Sequence, residues 1–277
     1  MQPLLLELVK KSADYLVSHG VTNGRREAEW IFTATLGLTR LDLYTRFDMP
    51  VEPVEVERLR QLVMRRGKRE PLAYVLGNQE FCGLTLTVGP GVLVPRPETE
   101  ELVALVLATL PGTPQRLLDI GTGSGAIALA LKHARPDCTV QGVDQEAAAL
   151  VFARANAQAL SLAVDFVQGH LAQGLSGYDV VIANLPYIAD DERSQCDPEL
   201  AFEPASALYA DDGGLALIRE LIHDLPRILN QDGVMYLEHG WQQGPRILAA
   251  CAAKDLACTI RQDGAGKDRF AVIRRPT

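Results

Sequence analysis

The 277-residue chain is 47% hydrophobic and 22% charged, with a net charge of −8. That balance suits a soluble globular protein of one large domain or two modest ones, and it argues against broad binding to a phosphate backbone, which needs basic surface. Five cysteines with no CxxC pair, an N-terminus whose charges lie within and after its apolar stretch, and no uncharged run of roughly 18 residues point to a cytoplasmic protein without disulfide framework, metal site, signal peptide or membrane span.

Residues 1–76 read as a small bundle of four or five helices. Leu5, Val9, Ala13, Leu16 and Val17 recur at helical spacing, Ala28, Ile31, Phe32 and Leu36 share a face, and Val56, Leu59, Leu62 and Val63 repeat the pattern after Pro53. The basic run Arg65-Arg66-Gly67-Lys68-Arg69 reads as a solvated helix end. Residues 77–97 read as a hairpin linker: Glu80–Val88 alternates as a strand, Gly89-Pro90-Gly91 turns, and Val92–Arg96 is extended.

From residue 98 to 277 strands and helices alternate. Helices are expected over 98–110, 126–133, 145–159, 215–229 and 243–254, and strands over 117–120, 139–144, 164–168, 178–183, 234–238, 258–262 and 269–274. Such alternation predicts an α/β domain with a mostly parallel sheet covered by helices on both faces, and ligands there bind beyond the carboxyl ends of strands.

Two motifs fall at such strand ends. Asp119-Ile120-Gly121-Thr122-Gly123-Ser124-Gly125 joins the first strand of this region to the next helix; its glycines allow a tight turn and a close approach of backbone to ligand. With Ala126 it also fits the dinucleotide pattern, so a hydride-transferring NAD enzyme competes with S-adenosylmethionine (AdoMet) here. Asp119 suits an ammonium group by charge-assisted hydrogen bonding, whereas Asp144, closing the second strand, can accept ribose hydroxyls of either cofactor. The second motif, Asn184-Leu185-Pro186-Tyr187, favours AdoMet. One side-chain carbonyl, backbone carbonyls on a rigid corner and an aromatic ring can hold a planar –NH2 group and aim its nitrogen at a methyl donor. An amide and an adenine both carry such a group.

With Glu70-Pro-Leu-Ala-Tyr-Val-Leu-Gly77, Glu80-Phe81, Val94-Pro-Arg-Pro-Glu-Thr-Glu100, Leu118-Asp-Ile-Gly-Thr-Gly-Ser-Gly-Ala-Ile-Ala128, Phe202-Glu-Pro204 and Leu237-Glu-His-Gly240 added to the tetrapeptide, nearly the whole chain resembles the HemK/PrmC protein-(glutamine-N5) methyltransferases. These modify the glutamine of the Gly-Gly-Gln motif in class I peptide chain release factors. The resemblance implies a seven-stranded, Rossmann-like AdoMet-dependent methyltransferase domain preceded by a helical substrate-recognition domain. It implies AdoMet contacts from Asp119, Gly121, Thr122, Gly123, Ser124, Gly125, Asp144 and Asn184, catalytic roles for Asn184 and Tyr187, and a frame of Leu185, Pro186 and Tyr187 around the glutamine. The family's acidic position near the adenine falls on His170, followed by Leu171; His170 either accepts from the adenine amino group or is a surface histidine. Leu185 stands where the family usually has a second proline. Glu98 and Glu100 suit a helix N-terminus and border the implied site, and Glu238-His239 reads as peripheral because neighbours on a strand face opposite ways. A monomer with a protein partner and no nucleic-acid partner is expected. The alternatives are an adenine-N6 or ribosomal-protein glutamine methyltransferase and a non-catalytic AdoMet-binding regulator.

Overall fold

A computed structural model describes residues 2–275. These form two compact units, one of residues 2–78 with 197–202 and one of residues 79–196 with 203–275.

The first unit contains helices α1 (Leu5–Ser18), α2 (Gly24–Leu36), α3 (Asp42–Thr45), α4 (Pro53–Gly67) and α5 (Leu72–Leu76). Leu5, Val9 and Leu16 of α1 pack with Ala28, Ile31 and Phe32 of α2 and Leu59 and Val63 of α4, the apolar faces that the 3.6-residue period marks. The basic run at the end of α4 is not a solvated helix end. Arg66 is buried and donates to Glu27 at 2.5 Å and Glu199 at 2.8 Å, while Arg69 reaches the other oxygen of Glu199 at 2.7 Å. A buried guanidinium requires such partners, and Glu199 lies in the segment 197–202 that joins this unit from far along the chain.

Strands β1 (Asn78–Phe81) and β2 (Leu84–Thr87) form a two-stranded sheet. The turn is at Cys82-Gly83, both with positive φ (49° and 77°), as a two-residue type I′ hairpin demands, and not at Gly89-Pro90-Gly91. Cysteine is an unusual occupant of that position; Glu100 holds its N–H at 2.6 Å. Residues 92–96 form no strand, since the Val94 N–H and the Arg96 guanidinium are both taken by the Glu203 carboxylate.

The second unit continues with α6 (Pro97–Thr109), β3 (Arg116–Ile120), α7 (Ala126–Ala134), β4 (Thr139–Asp144), α8 (Ala147–Leu160), β5 (Asp165–Gln168), β6 (Tyr178–Asn184), the single turn α9 (Asp211–Gly214), α10 (Ala216–Ile228), β7 (Leu229–Glu238), α11 (Gly244–Ala252), β8 (Ala257–Gln262) and β9 (Asp268–Arg274). The seven strands order as β5-β4-β3-β6-β7-β9-β8, with β9 antiparallel to both neighbours. Between β6 and α9 lie three 3-10 turns, at Asp190–Gln195, Pro198–Phe202 and Ala205–Ala207, where no periodicity announced any element.

Alternation along the central strands places the polar residues. Leu117, Val180, Ile182 and Tyr236 pack on the face covered by α6, α7 and α8, whereas Leu118, Ile120, Val181, Ala183, Met235 and Leu237 pack on the face covered by α10 and α11. By the two-residue period Asp119, Asn184 and Glu238 belong to the first of these faces. Asn184 and Glu238 are direct partners in the parallel β6–β7 ladder. The chain order reverses between β3 and β6, so the carboxyl ends of these strands flank a topological switch point, where a ligand crevice forms.

Candidate active site

Beyond β3, Gly121 and Gly123 adopt φ of +73° and +55°, in the left-handed region that glycine enters freely. The turn is braced from β4: Asp144 accepts the Gly123 N–H at 2.8 Å on one oxygen and the Glu146 N–H at 2.9 Å on the other. Each carboxylate oxygen keeps capacity for a further donor. Burial raises the Asp144 carboxyl above its ordinary range, opposed by those backbone donors.

Asp119 lies beneath the loop. Its side chain is fully buried, and one oxygen accepts from Thr122 Oγ1 at 2.6 Å and from the Ala128 N–H at 3.2 Å. The other oxygen has no hydrogen-bond partner among the described residues. Burial, with Asp144 nearby, pushes the carboxyl up to about 7 against the pull of the two donors. A buried carboxylate with a vacant oxygen is costly until a cation or donor reaches it.

At the end of β6 the Asn184 Nδ2 donates to Thr99 Oγ1 at 3.1 Å, and Thr99 Oγ1 donates to Glu238 Oε2 at 2.8 Å. Tyr187 Oη approaches Glu238 Oε1 at 3.4 Å. Thr99 stands in the first turn of α6, which Pro97 starts, and it is buried, as is Glu238. Burial raises the Glu238 carboxyl to about 7; Thr99, Arg269 and Tyr187 oppose that and Glu98 adds to it. Sequence reasoning placed Glu238 at the periphery and gave Thr99 no role. The ladder register and the α6 N-terminus bring both to Asn184. Tyr187 is anchored as well: the Gln243 amide donates to its carbonyl at 2.8 Å, and a Cβ on Gly214 would meet that carbonyl oxygen at 1.9 Å.

A cavity opens at the switch point, beyond the carboxyl ends of the strands where such sheets bind ligands. Of the residues singled out from sequence, Gly121, Gly123, Asp144, His170, Leu171, Asn184, Leu185 and Pro186 line it. Asp119, Thr122, Ser124, Gly125 and Tyr187 do not. Asp119, Thr122 and Ser124 are buried beneath the loop, Gly125 packs toward Leu129, Phe166 and Ala153, and the Tyr187 hydroxyl is drawn to Glu238. Leu93, Pro204, Ser206 and Leu217 also line the cavity; only Pro204 had a sequence signal, in Phe202-Glu203-Pro204. The His170 imidazole is exposed, 3.0 Å from Glu220 Oε1 and 3.4 Å from Gln145 Oε1.

These residues fit AdoMet. Asp144 can take ribose hydroxyls, the apolar Val143, Leu171 and Leu217 suit a flat base, and the unpartnered oxygen of Asp119, beneath the glycine loop, can receive a donor or cationic group.

Comparison with known proteins agrees with this geometry. Residues 7–77 match the PrmC N-terminal domain family and residues 96–237 the methyltransferase small domain family. A release factor glutamine methyltransferase of Geobacter sulfurreducens is 40% identical over 259 residues, 92% of this chain and 91% of that one. The Escherichia coli K12 protein of the same name is 38% identical, covering 82% and 83% of the two chains, and that of Deinococcus radiodurans 35%, covering 98% of each. Among solved structures, a methyltransferase from Pyrococcus furiosus shares the fold with a TM-score of 0.53 at 19% identity, covering 69% of this chain and 88% of that one. The ribosomal protein L11 methylase of Lactobacillus delbrueckii subsp. bulgaricus shares it with a TM-score of 0.50 at 20% identity, covering 66% and 81%.

Proposed function

The chain belongs to the release factor glutamine methyltransferases, and on that premise we propose that it transfers a methyl group from AdoMet to the side-chain amide nitrogen of the glutamine in the Gly-Gly-Gln motif of class I peptide chain release factors. The observation that carries this reading is a shared cavity: Asn184, Leu185 and Pro186 line it together with Gly121, Gly123 and Asp144. An amide grip and a cofactor cradle open onto one space.

AdoMet supplies an electrophilic methyl group on a sulfonium centre. An amide nitrogen is a poor nucleophile because its lone pair is delocalised, so this chain's contribution is placement. The Asn184 Oδ1 accepts one N–H of the substrate amide, and the carbonyl of Leu185 or Pro186 accepts the other. Among the described residues no protein donor occupies any of these oxygens. Two acceptors turn the nitrogen toward the methyl and stabilise positive charge growing on it. Orientation of this kind contributes several kcal/mol, up to roughly 7–11 in favourable cases. Once methylated, the nitrogen would be strongly acidic and would release its proton to water, so this chain needs no dedicated base.

In this reading residues 1–76 recognise the release factor, 77–97 link, and 98–277 bind the cofactor and carry out transfer. The reading extends to a monomer that acts in the cytoplasm on protein and not on nucleic acid; the net charge of −8 supports the last point. No described helix is long and apolar enough to cross a membrane. The test is methyl transfer from labelled AdoMet to a purified class I release factor, beside the same factor with its Gly-Gly-Gln glutamine changed to alanine and an adenine-containing oligonucleotide. Label on the parent factor alone is expected; label on the oligonucleotide, or on the glutamine-free factor, overturns the reading.

A further inference from the structure

We propose that Thr99 and Glu238 are positioning residues that fix which end of the Asn184 amide faces the substrate. The inference rests on the transfer reaction above and deepens it.

A side-chain amide has two chemically opposite ends, and only one can grip a substrate N–H. With the Asn184 Nδ2 toward Thr99, the Oδ1 acceptor is available for substrate. Rotated by half a turn, the –NH2 would face the substrate amide and repel its hydrogens. What selects between the two is the direction of the Thr99 hydroxyl. Thr99 has one hydrogen to donate. An ionised Glu238 is acceptor-only, so Thr99 must spend that hydrogen on Oε2, at 2.8 Å. What remains on Thr99 Oγ1 is lone pairs, which demand a donor from Asn184, at 3.1 Å. The polarity of the chain is set at the carboxylate and passed through the hydroxyl to the amide. Tyr187 Oη, 3.4 Å from the second carboxylate oxygen, supports the same polarity. Thr99 and Glu238 are 4% and 1% exposed, so water is not available to reverse it. The three residues converge because Asn184 and Glu238 are ladder partners on one face of the sheet, with α6 beginning over them.

The experiment is steady-state kinetics of full-length enzyme on a purified release factor. Thr99→Val keeps shape and removes the hydroxyl; Thr99→Ser restores the hydroxyl. Thr99→Val is expected to lower kcat at least thirtyfold with KM for both substrates within threefold of the parent, and Thr99→Ser to return kcat to within threefold. A packing role would spare Thr99→Val or harm the serine variant equally, and either result overturns the proposal. Should Thr99→Val melt early, Glu238→Gln carries the test: an amide no longer dictates the hydroxyl direction, so kcat falls about tenfold at steady KM, and an unchanged kcat refutes the role. In the double variant the losses should not add, because both break one chain; additive losses speak against a relay. A parent enzyme with no turnover on the release factor sinks the functional reading itself, whereas a working parent with an indifferent Thr99→Val sinks only the positioning roles.

Discussion

Leu185 is closed over Gly121, with its Cδ2 3.1 Å from where a Cβ on that glycine would stand. The loop that follows β6 and the glycine loop after β3 are therefore packed against each other. Leu185 is 4% exposed and belongs to the core on the α10 and α11 face of the sheet. A proline, usual at this position in the family, would keep the backbone carbonyl but would not reach as far. Leu185→Pro should retain turnover within about fivefold, a readout of labelled methyl transfer. Leu185→Ala should cost about 2–4 kcal/mol of stability through the void it leaves, measured by denaturant unfolding, and should weaken AdoMet binding with it.

Gly121→Ala tests the same contact from the other side. The new methyl meets Leu185 while φ stays at +73°, a conformation that costs an alanine about 1–2 kcal/mol. Calorimetric titration should show AdoMet affinity falling more than tenfold. Combining Gly121→Ala with Leu185→Ala should recover part of that loss, since relief of the clash leaves only the backbone strain. No recovery would mean that the two loops do not depend on each other.

Asn184→Ala removes the side-chain acceptor proposed to grip the substrate amide. Turnover should fall by more than two orders of magnitude while AdoMet binding stays within about tenfold, ~1.4 kcal/mol. Retained activity would show that the backbone carbonyls suffice alone.

Turnover should rise with pH through about 7, where Glu238 ionises and fixes the hydroxyl direction of Thr99. The groups facing this carboxyl are Thr99 and Glu98 of α6, Tyr187 after β6 and Arg269 of β9. The rising limb in kcat should vanish in Glu238→Gln. A limb that persists there belongs to another group.

Two carboxyls in the folded protein, Asp119 and Glu238, titrate near 7 because burial holds them protonated. Their folded pKa exceeds that of the unfolded chain. Each therefore contributes stability that is complete below the usual carboxylate range and lost as pH rises through about 7. The ligand-free enzyme should melt at a lower temperature at pH 8 than at pH 5.5, with Asp119→Asn flattening part of the slope. Added AdoMet, a cation, should raise Tm more at pH 8 than at pH 5.5. A pH-independent increment would disconnect Asp119 from the cofactor.

The strands were legible because buried parallel strands are short apolar runs between glycine and polar punctuation, as in Leu117–Ile120 and Val180–Ala183. The cavity-facing half of the glycine loop and of the tetrapeptide followed from their place at strand ends. What stayed hidden depends on contacts remote in sequence. Thr99 meets Asn184 and Glu238 across separations of 85 and 139 residues, and no local pattern encodes that. The hairpin turn was misplaced because Cys82 carries a positive φ that its residue type does not advertise. The approach of the Tyr187 hydroxyl to Glu238 on the adjoining strand, across 51 residues of sequence, is likewise encoded by no local pattern.

The visit of residues 197–202 to the helical unit, where Glu199 meets Arg66 and Arg69, limits how this protein can be taken apart. The segment falls between the tetrapeptide and Pro204, so the sequence that lines the cavity is interrupted by a piece of the other unit. Truncation near residue 78 is not a clean excision: it strips Glu199 of both arginines, and leaves Arg66 with Glu27 alone and Arg69 without its carboxylate. A chimera that exchanges the helical region between relatives must carry this six-residue insert along with it. The helical unit is one packed body drawn from two stretches of sequence, and so it is not a cassette.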